Sequence, residues 1–260
     1  LRATERQLLQ QLAVFRSFTH EQQWDKTVIE RLLALRLIER DGHGGLALVP
    51  GLRETLYAEL PTELRQELHL AAALLRAQLA ECTAAAYHYW QADQPAQAIA
   101  IWYPNRKAEI ARGEAEAALS IFTHISARQL ELPERKALDL IRTELRLLAG
   151  ELRQSFAEME AIRWWDKSPA AARAHALRGR LQEALGDPDA ASDSYTKSAE
   201  LSLSLANEVA TLQIMAGRLQ SQRGNLTKAR RLAQLAECNT QLLLGEIEEL
   251  QGHYNEALLL

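Results

Sequence analysis

Cysteine, proline and glycine are all scarce in this chain, with two, seven and twelve copies in 260 residues. The two cysteines, Cys82 and Cys238, lie far apart, which excludes a disulfide-stapled scaffold and reads as two reduced thiols buried in helices. Few helix breakers stand against abundant Leu, Ala, Glu, Gln and Arg, so helix propensity is high almost throughout. Alternating runs of β-branched and aromatic residues are nearly absent, which argues against any large sheet. No apolar stretch approaches the roughly 18 residues of a membrane span, and no signal peptide opens the chain. A cytoplasmic protein with no membrane partner is expected. The net charge of −4 leaves no basic excess to recommend a nucleic acid or an anionic membrane as default partner.

Constellations for chemistry are missing as well. His20, His43, His69, His88, His124, His175 and His253 are scattered. No two of them show the spacing that puts a pair of metal ligands on one helical face, and neither cysteine is near one. Gly42-His43-Gly44-Gly45 lacks the Lys-Ser/Thr of a phosphate loop. The serines between Ser192 and Ser204 form no nucleophile elbow. No catalytic site, bound cofactor or metal is expected within these residues, and Glu246, Glu248 and Glu249 read as a solvated helix face.

What is present is a repeat. A helix-ending glycine followed five residues later by a small residue occurs at Gly113…Ala118, Gly150…Ser155, Gly186…Ala191, Gly224…Ala229 and Gly252…Ala257. The glycines are separated by 37, 36, 38 and 28 residues, and three have a partner seven residues upstream, at Gly179, Gly217 and Gly245. Such a period marks stacked two-helix units, none of which buries its apolar face alone. In the cleanest unit, 172–201, Gly179 and Ala191 are small for close helix approach, and Gly186 ends a helix in the left-handed conformation. Tyr195 fills the gap to the next unit. These residues resemble the tetratricopeptide repeat, specifically for three units and in degraded form around Gly113 and Gly150, where Arg106 and Thr143 replace the upstream glycine. The last interval is short for a helix pair, so either residues near Cys238-Asn239-Thr240 are missing or a helix is truncated.

Upstream, apolar residues at Leu8, Leu9, Leu12, Ala13 and Phe15 predict a helix over 4–16. A short helix near His20–Trp24 is expected next, then a third over 27–38 capped by Thr27. The glycine turn at 40–45 leads to a strand-like Leu46-Ala47-Leu48-Val49, and a further helix covers 52–60. Three helices, a glycine-tipped hairpin and a helix is the order of a winged helix-turn-helix. The fold class is therefore all-α with a small β-wing, in three parts: a winged helix at 1–60, a helical arm at 61–95 and a repeat array at 96–260. The candidate recognition helix offers Arg31 and Arg36 against Glu30. Residues 1–60 carry eight basic and eight acidic side chains, so the footprint of a DNA binder is lacking.

Two aromatic groups are candidate partner-binding residues. Tyr87-His88-Tyr89-Trp90 with Trp102-Tyr103 reads either as a ligand-gripping patch, through Tyr89 and Trp90, or as core packing where the arm meets the first repeat; the second is preferred. Trp164 and Trp165 are adjacent on a helix and cannot both face inward, so one is a candidate contact for a partner.

Leu8-Leu9-Gln10-Gln11-Leu12-Ala13-Val14-Phe15-Arg16, Leu32 through Arg40, Leu52-Arg53-Glu54-Thr55-Leu56 and Leu64 through Ala72, followed by the repeats, together resemble the C-terminal half of STAND-class signal-transduction ATPases. The resemblance implies a winged helix and arm that hold an upstream ATPase domain in an inhibited state. It implies repeats that bind an effector (protein, peptide or small molecule), and oligomerisation on activation. ATP or ADP and Mg would belong to that absent domain alone. The family's Met-His-Asp motif aligns with Leu48-Val49-Pro50, which brings no imidazole to a nucleotide. Opening at Leu1-Arg2-Ala3 and closing at Glu256-Ala257-Leu258-Leu259-Leu260, the sequence is read as a piece of a longer protein. A transcription factor that uses the winged helix on DNA and a plain repeat scaffold are the alternative readings.

Overall fold

A computed structural model describes residues 1–21, 24–161, 168–201 and 206–222, with scattered positions as far as Leu232. Among the described residues there are twelve α-helices and one small sheet. Gly224, Gly245, Gly252, Ala257, Trp164, Trp165 and Cys238 lie outside them. The chain divides into two compact units, one of residues 1–117 with 124–130, the other of residues 118–123 with 131–260.

The first unit opens with α1 (Ala3–Ala13), β1 (Thr19–His20), α2 (Lys26–Ala34), β2 (Ile38–Arg40), β3 (Gly45–Leu48) and α3 (Leu52–Glu59). The strands form one antiparallel sheet in the order β1-β3-β2, with Thr19 opposite Leu46 and Ile38 opposite Leu48. Thr19-His20 pairs along β3 as an edge strand. Of the short helix expected near His20–Trp24, residues 22 and 23 lie outside the described residues, while Trp24 N–H closes onto Glu21 C=O at 3.1 Å. One expectation is corrected here. The next helix stops at Ala34 rather than running to residue 38, because Arg36 turns left-handed with φ 56° and Leu37 N–H closes onto Leu32 C=O. Its cap is Asp25, whose carboxylate accepts from Thr27 N–H at 2.7 Å. The tight turn between β2 and β3 is held by Asp41, which accepts from His43 N–H and Gly45 N–H at 2.8 and 2.7 Å.

Leu8, Leu9, Leu12, Ile29, Leu32, Ile38, Leu46 and Leu48 close one core. Ala72, Leu64, Leu68 and Leu75 of α4 (Thr62–Gln78) join it, so the long helix after Pro61 is part of the same body. α5 (Cys82–Gln91) packs on α4, and α6 (Pro95–Ala111) packs on α5. The α5 amino terminus lacks a cap of its own. Glu109 of α6 supplies it, accepting from Thr83 N–H at 2.9 Å and Thr83 Oγ at 2.6 Å, while Trp102 Nε1 donates to the same hydroxyl. Burying this carboxylate is tolerable because those donors, with Arg112, satisfy it.

α7 (Ala115–His124) links the two units, and the second continues with α8 (Leu132–Leu148), α9 (Leu152–Ala161), α10 (Pro169–Ala184), α11 (Pro188–Leu201) and α12 (Ala206–Gln222). α10 packs against α8, α9 and, most extensively, α11, which in turn packs on α12.

One local frame recurs across both units. Gly113, Gly150 and Gly186 have φ of 88°, 79° and 84°. The residue after each donates to the carbonyl five positions back: Glu114 to Glu109, Glu151 to Arg146, Asp187 to Gln182. This is the closure that satisfies otherwise orphaned helix-end carbonyls. Ala80, with φ 57°, makes the same closure between Glu81 and Arg76, so the frame extends to α4 and α5 without any glycine. Five residues after each turn stand Ala85, Ala118, Ser155 and Ala191, all 0% exposed. Nine residues after stand Tyr89, Phe122, Met159 and Tyr195, each buried.

Gly179 shows what this frame requires. A Cβ there would lie 2.6 Å from Tyr195 Cε1. The tyrosine therefore lies on its own unit's glycine, with its hydroxyl donating to Glu183 at 2.8 Å, while also joining Ala216, Leu219 and Leu232. The expected packing toward the next unit is present, and the contact with its own unit's Gly179 is added to it. In Gly179→Ala, helix propensity gains about 1 kcal/mol, but overpacking against a fixed ring costs about 1–3 kcal/mol. The urea midpoint should fall, and the loss should vanish in a Tyr195→Leu background.

Candidate functional site

The densest grouping of polar aromatic side chains lies where α3, α4 and α5 meet. Frame geometry places His69 on α4, eleven residues before the turn at Ala80, and α5 brings Tyr87, His88, Tyr89 and Trp90. His69 Nδ1 and His88 Nδ1 are 2.9 Å apart, and the Tyr57 hydroxyl is 3.0 Å from His69 Nε2. Tyr57 also reaches Gln91 Oε1 at 3.5 Å. Only one Nδ1 of the pair can carry the bridging proton. If His69 holds it, Tyr57 donates to His69; if His88 holds it, His69 Nε2–H donates to Tyr57 and the phenol donates to Gln91. Both arrangements leave two neutral rings.

Neutrality is enforced by the surroundings. Burial, helped by Arg65 and Arg16, pushes His69 down to about 4. Burial, then His69 and Arg76, pushes His88 down to about 3. Arg16 lies over the Tyr87 ring at 4.2 Å and Arg65 over Tyr57 at 4.5 Å. Phe15 meets His88 edge-on at 5.3 Å, which ties the cluster to the core beneath the sheet. The group is a hydrogen-bond relay of neutral and cationic parts, with no carboxylate among the contacts described.

Of the sequence candidates, Tyr89 is buried and Trp90 half-buried, the latter 5.6 Å from His124 in a tilted stack. Trp102 is fully buried in the Thr83–Glu109 network. Gly113, Gly150 and Gly186 end helices, Ala118 and Ala191 are fully buried, and Ala229 is 0% exposed. Gly217 lies buried within α12. Sequence reasoning missed His69 as a member of the cluster, because its partners are 12 and 19 residues away and become neighbours only when α3 and α5 fold against α4.

A second feature, overlooked in the sequence, is the frame position four residues before each turn. It holds Arg76, Glu109, Arg146 and Gln182, all buried and polar. Arg76 pairs with Glu81, and Arg146 pairs with Glu151 and Glu158. Gln182 accepts from Ser194 at 2.6 Å. Among the described residues no group of His, Cys, Asp or Glu is arranged to hold a metal ion, and no helix is long and apolar enough to cross a membrane.

No protein-family model matches the chain, and no curated protein matches it. Among solved structures it is similar to BtubC (BKLC) from P. vanneervenii, at 16% identity and a TM-score of 0.49, over 74% of this chain and 86% of that one. It is also similar to a Signal Transduction ATPase with Numerous Domains (STAND) protein with a tetratricopeptide repeat sensor from Pyrococcus horikoshii. That match has 13% identity and a TM-score of 0.49 over 99% of this chain, which spans about half (49%) of the other.

The histidine pair makes stability depend on acid. Their folded values lie below the ordinary 6.5, so between about pH 6.5 and 4 the unfolded chain binds protons that the folded chain refuses. Each imidazole then removes about 1.4 kcal/mol per pH unit as pH falls through that window, and nothing above it. Thermal unfolding followed from about pH 7.5 to 4 should show a declining Tm, with a shallower decline in His69→Gln.

Proposed function

We propose that this chain is the regulatory part of a STAND-type signal-transduction ATPase. Its helical repeats recognise an effector, and its N-terminal α/β body, read as a winged helix, holds an upstream ATPase domain in the resting state together with the following arm. ATP or ADP and Mg belong to that upstream domain, and this chain carries no catalysis of its own. Effector binding favours a repeat arrangement incompatible with the docked state, which releases the ATPase to oligomerise. Such a switch works only through unequal effector affinity for the two arrangements.

The observation that carries this reading is the core shared by α1, α2, the sheet and α4. A small α/β body that continues without interruption into helix hairpins suits the transmission of a repeat movement. The DNA-binding alternative finds less support in the arginines of α2 and of the residues that follow it. Arg31 is held by Glu5, itself 2% exposed, at 2.9 Å, and Arg40 is divided between Glu21 and Glu30. Arg36 serves the helix end. Guanidiniums committed to carboxylates are poorly placed to exchange counterions with phosphates.

Capture of the separately expressed ATPase domain by this chain tests the proposal. Retention in ADP that weakens in a non-hydrolysable ATP analogue is expected. Absence of capture in both nucleotides overturns the docking reading. Retardation of duplex DNA with a steep salt dependence would favour the transcription-factor alternative instead.

A further inference from the structure

The strongest unassigned feature is a cavity of about 270 Å3 between α10 and α11, lined in part by His175, Arg178, Gln182, Asp193, Ser194 and Lys197. Its polar chemistry is unbalanced. His175 is 7% exposed, and its Nε2 is buried with no hydrogen-bond partner among the described residues. The same holds for Arg178 Nε, a nitrogen that can only donate. Arg178 Nη2 donates to Glu160 at 2.9 Å, while its Nε has no acceptor among the described residues. Lys197 adds an ammonium to the lining. Of the acceptors present, Gln182 Oε1 already takes the Ser194 hydroxyl and Asp193 is engaged in an interaction of its own.

The recurring frame gives an internal comparison. The position eleven residues before the turn holds His69 in the first hairpin and Trp102 in the next. His69 has partners on both nitrogens, and Trp102 Nε1 donates to Thr83. His175 occupies the same frame position in α10 and leaves its Nε2 unmet. Buried polar atoms in folded proteins are nearly always paired, so two unpaired nitrogens lining one cavity, of which Arg178 Nε can only donate and His175 Nε2 donates in one tautomer, mark a place for an acceptor.

We propose that this cavity is a binding site for a small oxyanion-bearing molecule, one whose carboxylate or phosphate accepts from Arg178 Nε, His175 Nε2 and Lys197 Nζ. The volume lies just under the usual range for ligand pockets, which fits a metabolite-sized guest better than a protein segment. The proposal deepens the effector-recognition half of the reading above and is independent of ATPase docking. Carboxylate and phosphate share the chemistry, and separate titrations distinguish them.

Calorimetric titration of the intact chain with inorganic phosphate, with succinate and with uncharged succinamide tests it. Saturable binding of phosphate or succinate, with no heat from succinamide, is expected. Lys197→Met removes an exposed side chain and should weaken the affinity about tenfold or more, as loss of a charged hydrogen bond does, with an unchanged unfolding midpoint. His175→Phe should weaken it too. On addition of the bound anion to the wild-type chain, the His175 imidazole nitrogen resonances should move, a change that a merely structural histidine would not make. Silent titrations with both anions would mean that water alone satisfies these donors and would overturn the proposal. Affinity unaltered in Lys197→Met would overturn it equally. Either result alongside intact, ADP-favoured capture of the ATPase domain removes this site and leaves the regulatory reading standing.

Discussion

The apolar face of a single helix hairpin has nothing of its own to lie against, and most of the packing here answers that constraint. Tyr195 shows the solution in one side chain. Its ring lies flat enough on α10 that only a glycine fits beneath it, and its other contacts are Ala216 and Leu219 on α12 and Leu232 beyond. One residue thus fastens its own hairpin and the following helix together. Tyr89, Phe122 and Met159 hold the corresponding frame position, and the small residues at 85, 118, 155 and 191 hold the matching close approach. Stability in such an architecture is carried between neighbours rather than by one central core.

The same constraint leaves buried polar positions to be satisfied. Four residues before each turn a charged or amide side chain lies inside the packing, and each unit answers it differently. Arg76 and Arg146 reach acidic residues just beyond the turn, Glu109 caps the neighbouring helix, and Gln182 takes a serine hydroxyl. Fully satisfied, such groups fix a single register, since a slip would leave a charge buried alone. His175 Nε2 and Arg178 Nε, near Gln182, are buried without a hydrogen-bond partner among the described residues, and a cavity coincides with them.

The regulatory reading rests on a well-packed N-terminal body. The core that joins the sheet to α4 is firm, with Ile29, Leu32 and Leu46 all at 0% exposure. The histidine pair above it belongs to the same body and stays neutral at ordinary pH, which removes a charge from the layer where α4 and α5 meet. A cation there would have no carboxylate to meet among the contacts of the cluster.

The helix ends at Gly113, Gly150 and Gly186 were legible in the sequence because a left-handed turn strongly favours glycine, and glycine is otherwise rare in this chain. The glycine turn and the strand after it were legible for a related reason, since the turn breaks an apolar run, whereas β2 was read as the end of the preceding helix. Ala80 was not legible, because its left-handed turn is imposed on an ordinary residue by the packing of α4 on α5. Nor was β1, a two-residue strand that exists only because β3 offers it an edge. Sequence alone determined the helical class and the repeat, since both follow from local spacing and backbone preference. The His69–His88 contact, the cap that Glu109 lends to α5 and the unpaired nitrogens at His175 and Arg178 were decided by tertiary structure alone. Each depends on which atoms meet across separate helices, and no local pattern records that.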